Sequence, residues 1–142
     1  MAWIVANIAQ IMIVSGVLTM TMIYAVVAPE AALRSTFGES VSGPVANLVV
    51  RNWGALIGLV GAMLIYAASR PALRRMALTG AASSKAVFIA LVLSNGGRFL
   101  GYQAGIAVIV DLIWVAVFAT YLLATRGPAT GTAKFGTRIG PA

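Results

Sequence analysis

The stretch that decides the fold runs over residues 102–125 and reads YQAGIAVIVDLIWVAVFATYLLAT. Its only charged side chain is that of Asp111, and its length exceeds the roughly 20 apolar residues that a helix needs to cross a bilayer. Because a bilayer offers no water to the backbone, such a stretch crosses it as a helix. Three further apolar stretches precede it, at residues 3–28, 46–68 and 76–93. The sequence therefore predicts an all-α, four-helix transmembrane bundle within residues 1–126.

The composition of the chain also indicates a membrane protein. Hydrophobic residues make up 61% of the 142 positions and charged residues 9%, with a mean hydropathy of +0.96. A soluble domain averages about 45–50% apolar and about 25% charged residues. The net charge of +7 does not indicate nucleic-acid binding, because the basic residues lie mostly at the ends of apolar stretches. We therefore expect the lipid bilayer, and no nucleic acid, as a partner.

Cysteine and histidine are both absent from the chain. This absence excludes disulfides, thiolate zinc sites, cysteine-held iron–sulfur clusters and a cysteine nucleophile. The histidine ligands of most haem and di-iron sites are missing as well. Asp111 and Lys85 could form an acid–base pair, yet no nucleophile motif accompanies them. We predict no catalytic residue, no metal site and no cofactor, and hence a protein that is not an enzyme.

The positions of the basic residues predict the topology. Six lysines and arginines lie just after the second stretch or beyond the fourth: Arg70, Arg74, Arg75, Arg126, Lys134 and Arg138. By the positive-inside rule both segments are cytoplasmic, so both termini face the cytoplasm. A cleaved signal peptide is the alternative for residues 3–28, but the stretch lacks a basic start and its apolar core is too long. Residues 127–142 are rich in glycine, proline, threonine and alanine and include two basic residues. We therefore predict that they form a flexible, basic cytoplasmic tail.

The longest connection between spans covers residues 29–44, on the predicted outer side. Pro29 and Glu30 resemble the first turn of a helix, where proline and an acidic residue are favoured. Gly38 would end such a helix. Two alternatives stay open here: a short interfacial helix and an ordinary surface loop.

Three ionisable residues lie inside or close to the apolar layer: Arg51, Lys85 and Asp111. Lys85 and Asp111 lie at similar depths on consecutive antiparallel spans, so we expect a buried pair, with Arg51 as a third member or directed outward to the interface. Such a pair either fixes the register of the helices or forms a polar site for an anion, a proton or a lipid headgroup. The remaining alternative is that the residues do not meet.

Further residues extend these predictions. Four side chains could form a polar mouth around the outer end, or could simply be solvated at the interface: Asn47, Asn52, Arg98 and Gln103. A stripe of small residues on the second span predicts close helix packing: Gly54, Gly58 and Ala62. A similar stripe lies on the third span: Ala82, Ala86 and Ala90. Both stripes leave open whether the packing is intramolecular or a self-association.

Three short motifs carry a resemblance to a known class of proteins. They are VRNWG at residues 50–54, RP at residues 70–71 and GR at residues 97–98. Together with the pattern of spans over about residues 20–125, the chain resembles small four-helix bacterial inner-membrane proteins grouped as domains of unknown function. The resemblance implies a four-helix fold and an inner-membrane location, and it implies no activity and no functional residue.

Two functions follow from these features. The first is a non-catalytic membrane protein that acts as a homo-oligomer or as a small subunit of a larger membrane complex, since little of the chain lies outside the bilayer. The second is a small transporter or channel for an ion, a proton or a small anionic solute, which would pass Arg51, Lys85 and Asp111. A solvated central cavity would favour transport. A dry bundle with an exposed face of small residues would favour the subunit.

Overall fold

The computed structural model describes residues 1–125, and all the regular secondary structure within them is helical. Five helices follow one another: α1 (Ala2–Val27, with a 3-10 turn at Thr21–Ile23), α2 (Pro29–Phe37), α3 (Pro44–Ala68), α4 (Pro71–Ser94) and α5 (Gln103–Ala124). Helices α1, α3, α4 and α5 are long and apolar enough to span a membrane. The four predicted spans are therefore confirmed as helices, and the predicted tail at residues 127–142 lies outside the described residues.

Proline and glycine set the helix boundaries. Pro29, Pro44 and Pro71 each begin a helix, because the first helical position requires no backbone N–H donor. Gly38 ends α2 with a φ of 77°, a left-handed conformation that glycine adopts without steric cost. Of the two alternatives for the first connection, the structure therefore has the short helix.

The spans pack into one core at the end of the bundle that carries both the start of α1 and the α3–α4 turn. Large buried side chains from all four spans meet there: Ile8, Met12, Leu64, Leu78 and Phe118. We call this set the core plug. A smaller cluster forms near the opposite end, where α4 and α5 meet and α2 packs against them. We call this end of the bundle the α2 end. The buried members of the cluster are Ile89, Val92, Ala104 and Val108.

Helix α1 is an integral part of the bundle. Its Gly16 lies directly against Gly61 of α3, and its Ala25 lies against Gly54. In the most apolar part of α1, 22% of the residues are buried, compared with 11% in α5. Helix α1 has no ionisable side chain inside the layer, and its contacts are made by small residues such as Gly16 and Ala25 together with the apolar side chains of Ile8 and Met12.

Candidate functional site

Lys85 and Asp111 meet between α4 and α5, as their depths predict. The Lys85 Nζ donates a hydrogen bond to Asp111 Oδ1 and forms a salt bridge with it. The two side chains are only 10% and 16% exposed. A second hydrogen bond runs from Lys85 Nζ to Thr19 Oγ1 of α1, at 3.3 Å. Three spans therefore contribute to one polar centre.

This polar centre lies well inside the bundle. At 1.5 Å per residue, Asp111 is about 12 Å from the start of α5, and Lys85 is about 14 Å from the end of α4. An uncompensated charge at such a depth is costly, whereas two opposite charges in contact reduce that cost. The antiparallel arrangement of α4 and α5 brings the matched depths together, so the ion pair follows directly from the spacing of the sequence.

A cavity of about 460 Å³ leads from the α2 end down to the ion pair. Gln103 and Thr36 line it near the α2 end, and Lys85 and Asp111 line it at depth. The rest of its wall is mainly apolar and includes Leu18, Met22, Ile57, Phe88, Ile106, Val110 and Trp114. Mainly apolar walls with a few converging polar groups are typical of sites for small ligands.

The cavity ends at the core plug. Counted along α1, α3, α4 and α5, four members of the plug each lie two helical turns, or about 10 Å, beyond a residue of the cavity wall. The four pairs are Thr19 and Met12, Ile57 and Leu64, Lys85 and Leu78, and Asp111 and Phe118. The Trp114 ring in the wall also stacks on Phe118, with ring centroids 6.0 Å apart. Along the helices, the cavity therefore reaches from the level of Gln103 to the level of the ion pair, and the core plug lies beyond it.

Thr36 adds an unusual polar group to the cavity wall. Its side chain belongs to α2, is 2% exposed, and its Oγ1 has no hydrogen-bond partner within the protein. Threonine in a helix commonly bonds to a carbonyl of the preceding turn, as Thr79 does here with Arg75. A buried hydroxyl without a partner costs about 1–3 kcal/mol. Thr36 therefore brings an unsatisfied hydroxyl group to the wall region of the cavity.

Arg51 does not belong to the buried centre, which corrects the predicted three-residue cluster. Its side chain is exposed, and its Nη1 donates a hydrogen bond of 2.7 Å to the carbonyl of Val26. Val26 lies in the last turn of α1, where carbonyls have no partner within the helix. A long arginine side chain reaches such an acceptor near the interface at less cost than it would reach the centre of the bundle.

The predicted polar mouth does not assemble as one site. Gln103 lines the central cavity, whereas Asn47 lines a separate pocket beside Arg51. Arg98 pairs with Glu39 in a surface salt bridge whose side chains are 66% and 54% exposed. Asn52 is exposed. Sequence depth placed these residues near one end of the bundle, but it could not show that their helices direct them to different sides.

Several threonines of the site have no clear signal in the sequence. Thr19, Thr21 and Thr36 all line the cavity, yet hydroxyl residues are frequent in membrane helices and usually bond locally. The matched depth of the two charges is a strong signal by comparison. No three side chains of the metal-ligating types His, Cys, Asp and Glu come together within residues 1–125.

Comparisons with known proteins found no match to a family model, to a curated protein or to a solved structure. The resemblance carried by residues 50–54, 70–71 and 97–98 therefore stays a prediction. Any functional argument rests on the cavity and its side chains.

Proposed function

We propose that this chain is a non-catalytic, multi-pass protein of the bacterial inner membrane that carries a small anion together with a proton through its central cavity. The observation behind this proposal is the cavity of about 460 Å³ that ends on the Lys85–Asp111 pair. A membrane-buried ion pair that lines a cavity is a typical element of ion and proton pathways.

The chemistry of the pair favours combined binding of an anion and a proton. An anion in the cavity competes with the Asp111 carboxylate for the Lys85 ammonium group. A proton that binds Asp111 removes the competing charge and leaves Lys85 free to bind the anion. The site then gains one proton and one negative charge, so the net buried charge does not change. This neutrality matters because a net charge in the bilayer is costly.

The topology of the proposal follows from the basic residues. Arg70, Arg74 and Arg75 lie at the α3–α4 turn, which the positive-inside rule places in the cytoplasm. Both termini are then cytoplasmic, and the α2 end faces outward. The cavity would open to the outside, and the core plug would close it toward the cytoplasm. Passage to the cytoplasm requires the plug to separate, as in alternating access.

Flux measurements test the role of the ion pair. In proteoliposomes with a trapped pH dye, an inward gradient of chloride or nitrate should acidify the lumen. We expect Asp111→Asn and Lys85→Met each to lower the initial rate of lumen acidification at least about tenfold. A tenfold change corresponds to a rise of about 1.4 kcal/mol in the activation free energy of transport.

The surface salt bridge supplies the matched control for this experiment. The double variant Glu39→Gln with Arg98→Gln likewise removes an ion pair. This pair lies on the surface at the α2 end, and neither residue lines the cavity. The rate of the double variant should stay within about twofold of the original. Equal rates in the original chain, the cavity variants and protein-free liposomes would refute transport of these anions.

A second candidate function, a homo-oligomer or a subunit of a larger membrane complex, is favoured by one face of α4. Small side chains there are exposed: Gly80, Ser83 and Ser84, with Ala86 and Ala90 on the adjoining side. Small residues let membrane helices approach closely, and serine hydroxyls can hydrogen-bond across them. The stripe on α3 does not compete for this role, because Gly54 and Gly58 are buried against α1 and Ala62 is partly buried.

Cysteine cross-linking tests a second copy as the occupant of this face. The chain has no cysteine of its own, so a single introduced thiol reports one position. We expect Ser84→Cys to form a disulfide-linked dimer in membranes, because a disulfide requires Cα atoms within about 7 Å. Ile109→Cys, on the 63% exposed surface of α5, is the control and should stay monomeric. Equal cross-linking at both positions would indicate random collision.

A further inference from the structure

A second pocket lies at the α2 end, and neither Lys85 nor Asp111 lines it. It has a volume of about 740 Å³ and lies between the start of α2 and the first turns of α3. Its polar side chains include Arg34 and Glu30 from α2, with Asn47 and Arg51 from α3. None of these four residues lines the central cavity, so the two sites are separate.

Two guanidinium groups line this pocket, and neither has an acidic partner within residues 1–125. The salt bridges of that part of the chain are Lys85 with Asp111 and Arg98 with Glu39. Arg51 uses Nη1 for the Val26 carbonyl, and a guanidinium group carries five N–H donors in all. Most donors of Arg51 and Arg34 therefore remain for another acceptor, and two like charges in one pocket favour an anion between them.

The backbone adds donors to the same pocket. Pro29 occupies the first position of α2, and the N–H groups of Glu30 and Ala31 lie in the first turn, where no carbonyl of the helix can accept them. The next N–H, that of Ala32, already bonds to Ala28. Free N–H groups at a helix start, together with arginine side chains, are a combination that binds phosphate.

The charge and position of the pocket indicate which phosphate it binds. Glu30 offsets one of the two arginines, which leaves a single positive charge and suits a phosphate that carries one negative charge. The pocket lies where α1 ends at Val27, which is the level of lipid headgroups if α1 spans the bilayer. We infer that this pocket binds a singly charged phosphate group, supplied either by the diester of an anionic phospholipid or by free inorganic phosphate. This inference is independent of anion transport through the central cavity.

Native mass spectrometry of the detergent-solubilised full chain tests the site with dioleoylphosphatidylglycerol as the probe. We expect Arg34→Gln to weaken lipid binding about tenfold, because one charged hydrogen-bonding group is lost. The double variant with Arg51→Gln should weaken it further. The Arg34 side chain makes no hydrogen bond or salt bridge within residues 1–125, so its replacement should leave the fold intact even if Arg51→Gln disturbs the contact with Val26.

The control is Arg98→Gln, which removes the same charge at the same end of the bundle but outside the pocket. It should change the affinity by less than about twofold. Inorganic phosphate distinguishes the two sources: displacement of the lipid by millimolar phosphate indicates a site for the free anion, and no displacement indicates a lipid site. Equal weakening in Arg34→Gln and Arg98→Gln, or no weakening in either, would overturn the inference.

Discussion

Replacing Asp111 by asparagine is expected to lower the free energy of unfolding by about 3–5 kcal/mol. The change keeps the size of the side chain but leaves the Lys85 ammonium group without its counter-ion. The amide oxygen of asparagine and Thr19 Oγ1 could still accept hydrogen bonds from Lys85, but neutral acceptors do not compensate a buried charge. Unfolding of the purified protein by sodium dodecyl sulfate, followed by circular dichroism, measures the loss.

A double variant separates the ion pair from the two single charges. Lys85→Met with Asp111→Leu removes both charges and fills the space with apolar groups, so its stability should return to within about 1–2 kcal/mol of the original. Glu39→Gln breaks the exposed salt bridge and should cost less than about 1 kcal/mol. If Asp111→Asn and Glu39→Gln cost the same, the buried pair does not stabilise the fold.

The same double variant distinguishes the two interpretations of the pair. If Lys85 and Asp111 serve only to fix the helix register, the stable apolar variant should keep whatever flux the original chain has. If they bind the carried proton and anion, the variant should fold well and show no flux above protein-free liposomes. If the pair binds the carried ions, the double variant should keep its stability and lose its transport. Because both are measured on one protein sample, a loss of folding cannot be mistaken for a loss of function.

The sequence predicted the features that depend on one helix or on depth alone. Four spans followed from the apolar stretches, and the contact between Lys85 and Asp111 followed from their matched depths. A helix that starts at Pro29 was one of two alternatives, and the structure has it. These predictions succeed because the helix rise is constant and consecutive spans run in opposite directions. Depth in the bilayer can therefore be counted directly along the chain.

The sequence could not predict features that depend on the rotation of one helix against another. Arg51 lies at a depth from which its side chain could reach inward or outward, and only the position of Val26 decides between them. Thr19 of α1 accepts a hydrogen bond from Lys85 of α4 although α1 packs mainly against α3, and no pattern in the sequence indicates this contact. Periodicity gives the faces of each helix, but it does not say which neighbour each face meets.

A close approach between the backbones of α1 and α3 also depends on how the helices are rotated, and the last prediction is based on it. Gly16 of α1 and Gly61 of α3 face each other. A Cβ atom added at Gly61 would lie 2.6 Å from the Gly16 carbonyl oxygen, and one added at Gly16 would lie 2.7 Å from the Gly61 carbonyl oxygen. Both obstacles are backbone atoms, which cannot rotate away as a side chain can. Even alanine at either position must therefore push the two helices apart.

We expect Gly61→Ala to lower the free energy of unfolding by about 1–3 kcal/mol, as overpacking does in other cores. This loss would occur although alanine favours a helix over glycine by about 1 kcal/mol. Gly80→Ala is the matched control, since a Cβ atom there would meet only the Met63 side chain at 3.6 Å. Gly80→Ala should be neutral or stabilising in the same unfolding measurement, and an equal effect of both substitutions would contradict the close approach.

The double variant with Gly16→Ala and Gly61→Ala tests whether the two contacts are one. A single separation of α1 from α3 relieves both clashes. The double variant should therefore lose clearly less unfolding free energy than the two single variants lose together. The separation would also move Thr19, which lies one turn beyond Gly16 on α1, away from Lys85. Flux of chloride or nitrate should therefore fall in Gly61→Ala and stay unchanged in Gly80→Ala, which would connect the packing of α1 to the polar centre that it completes.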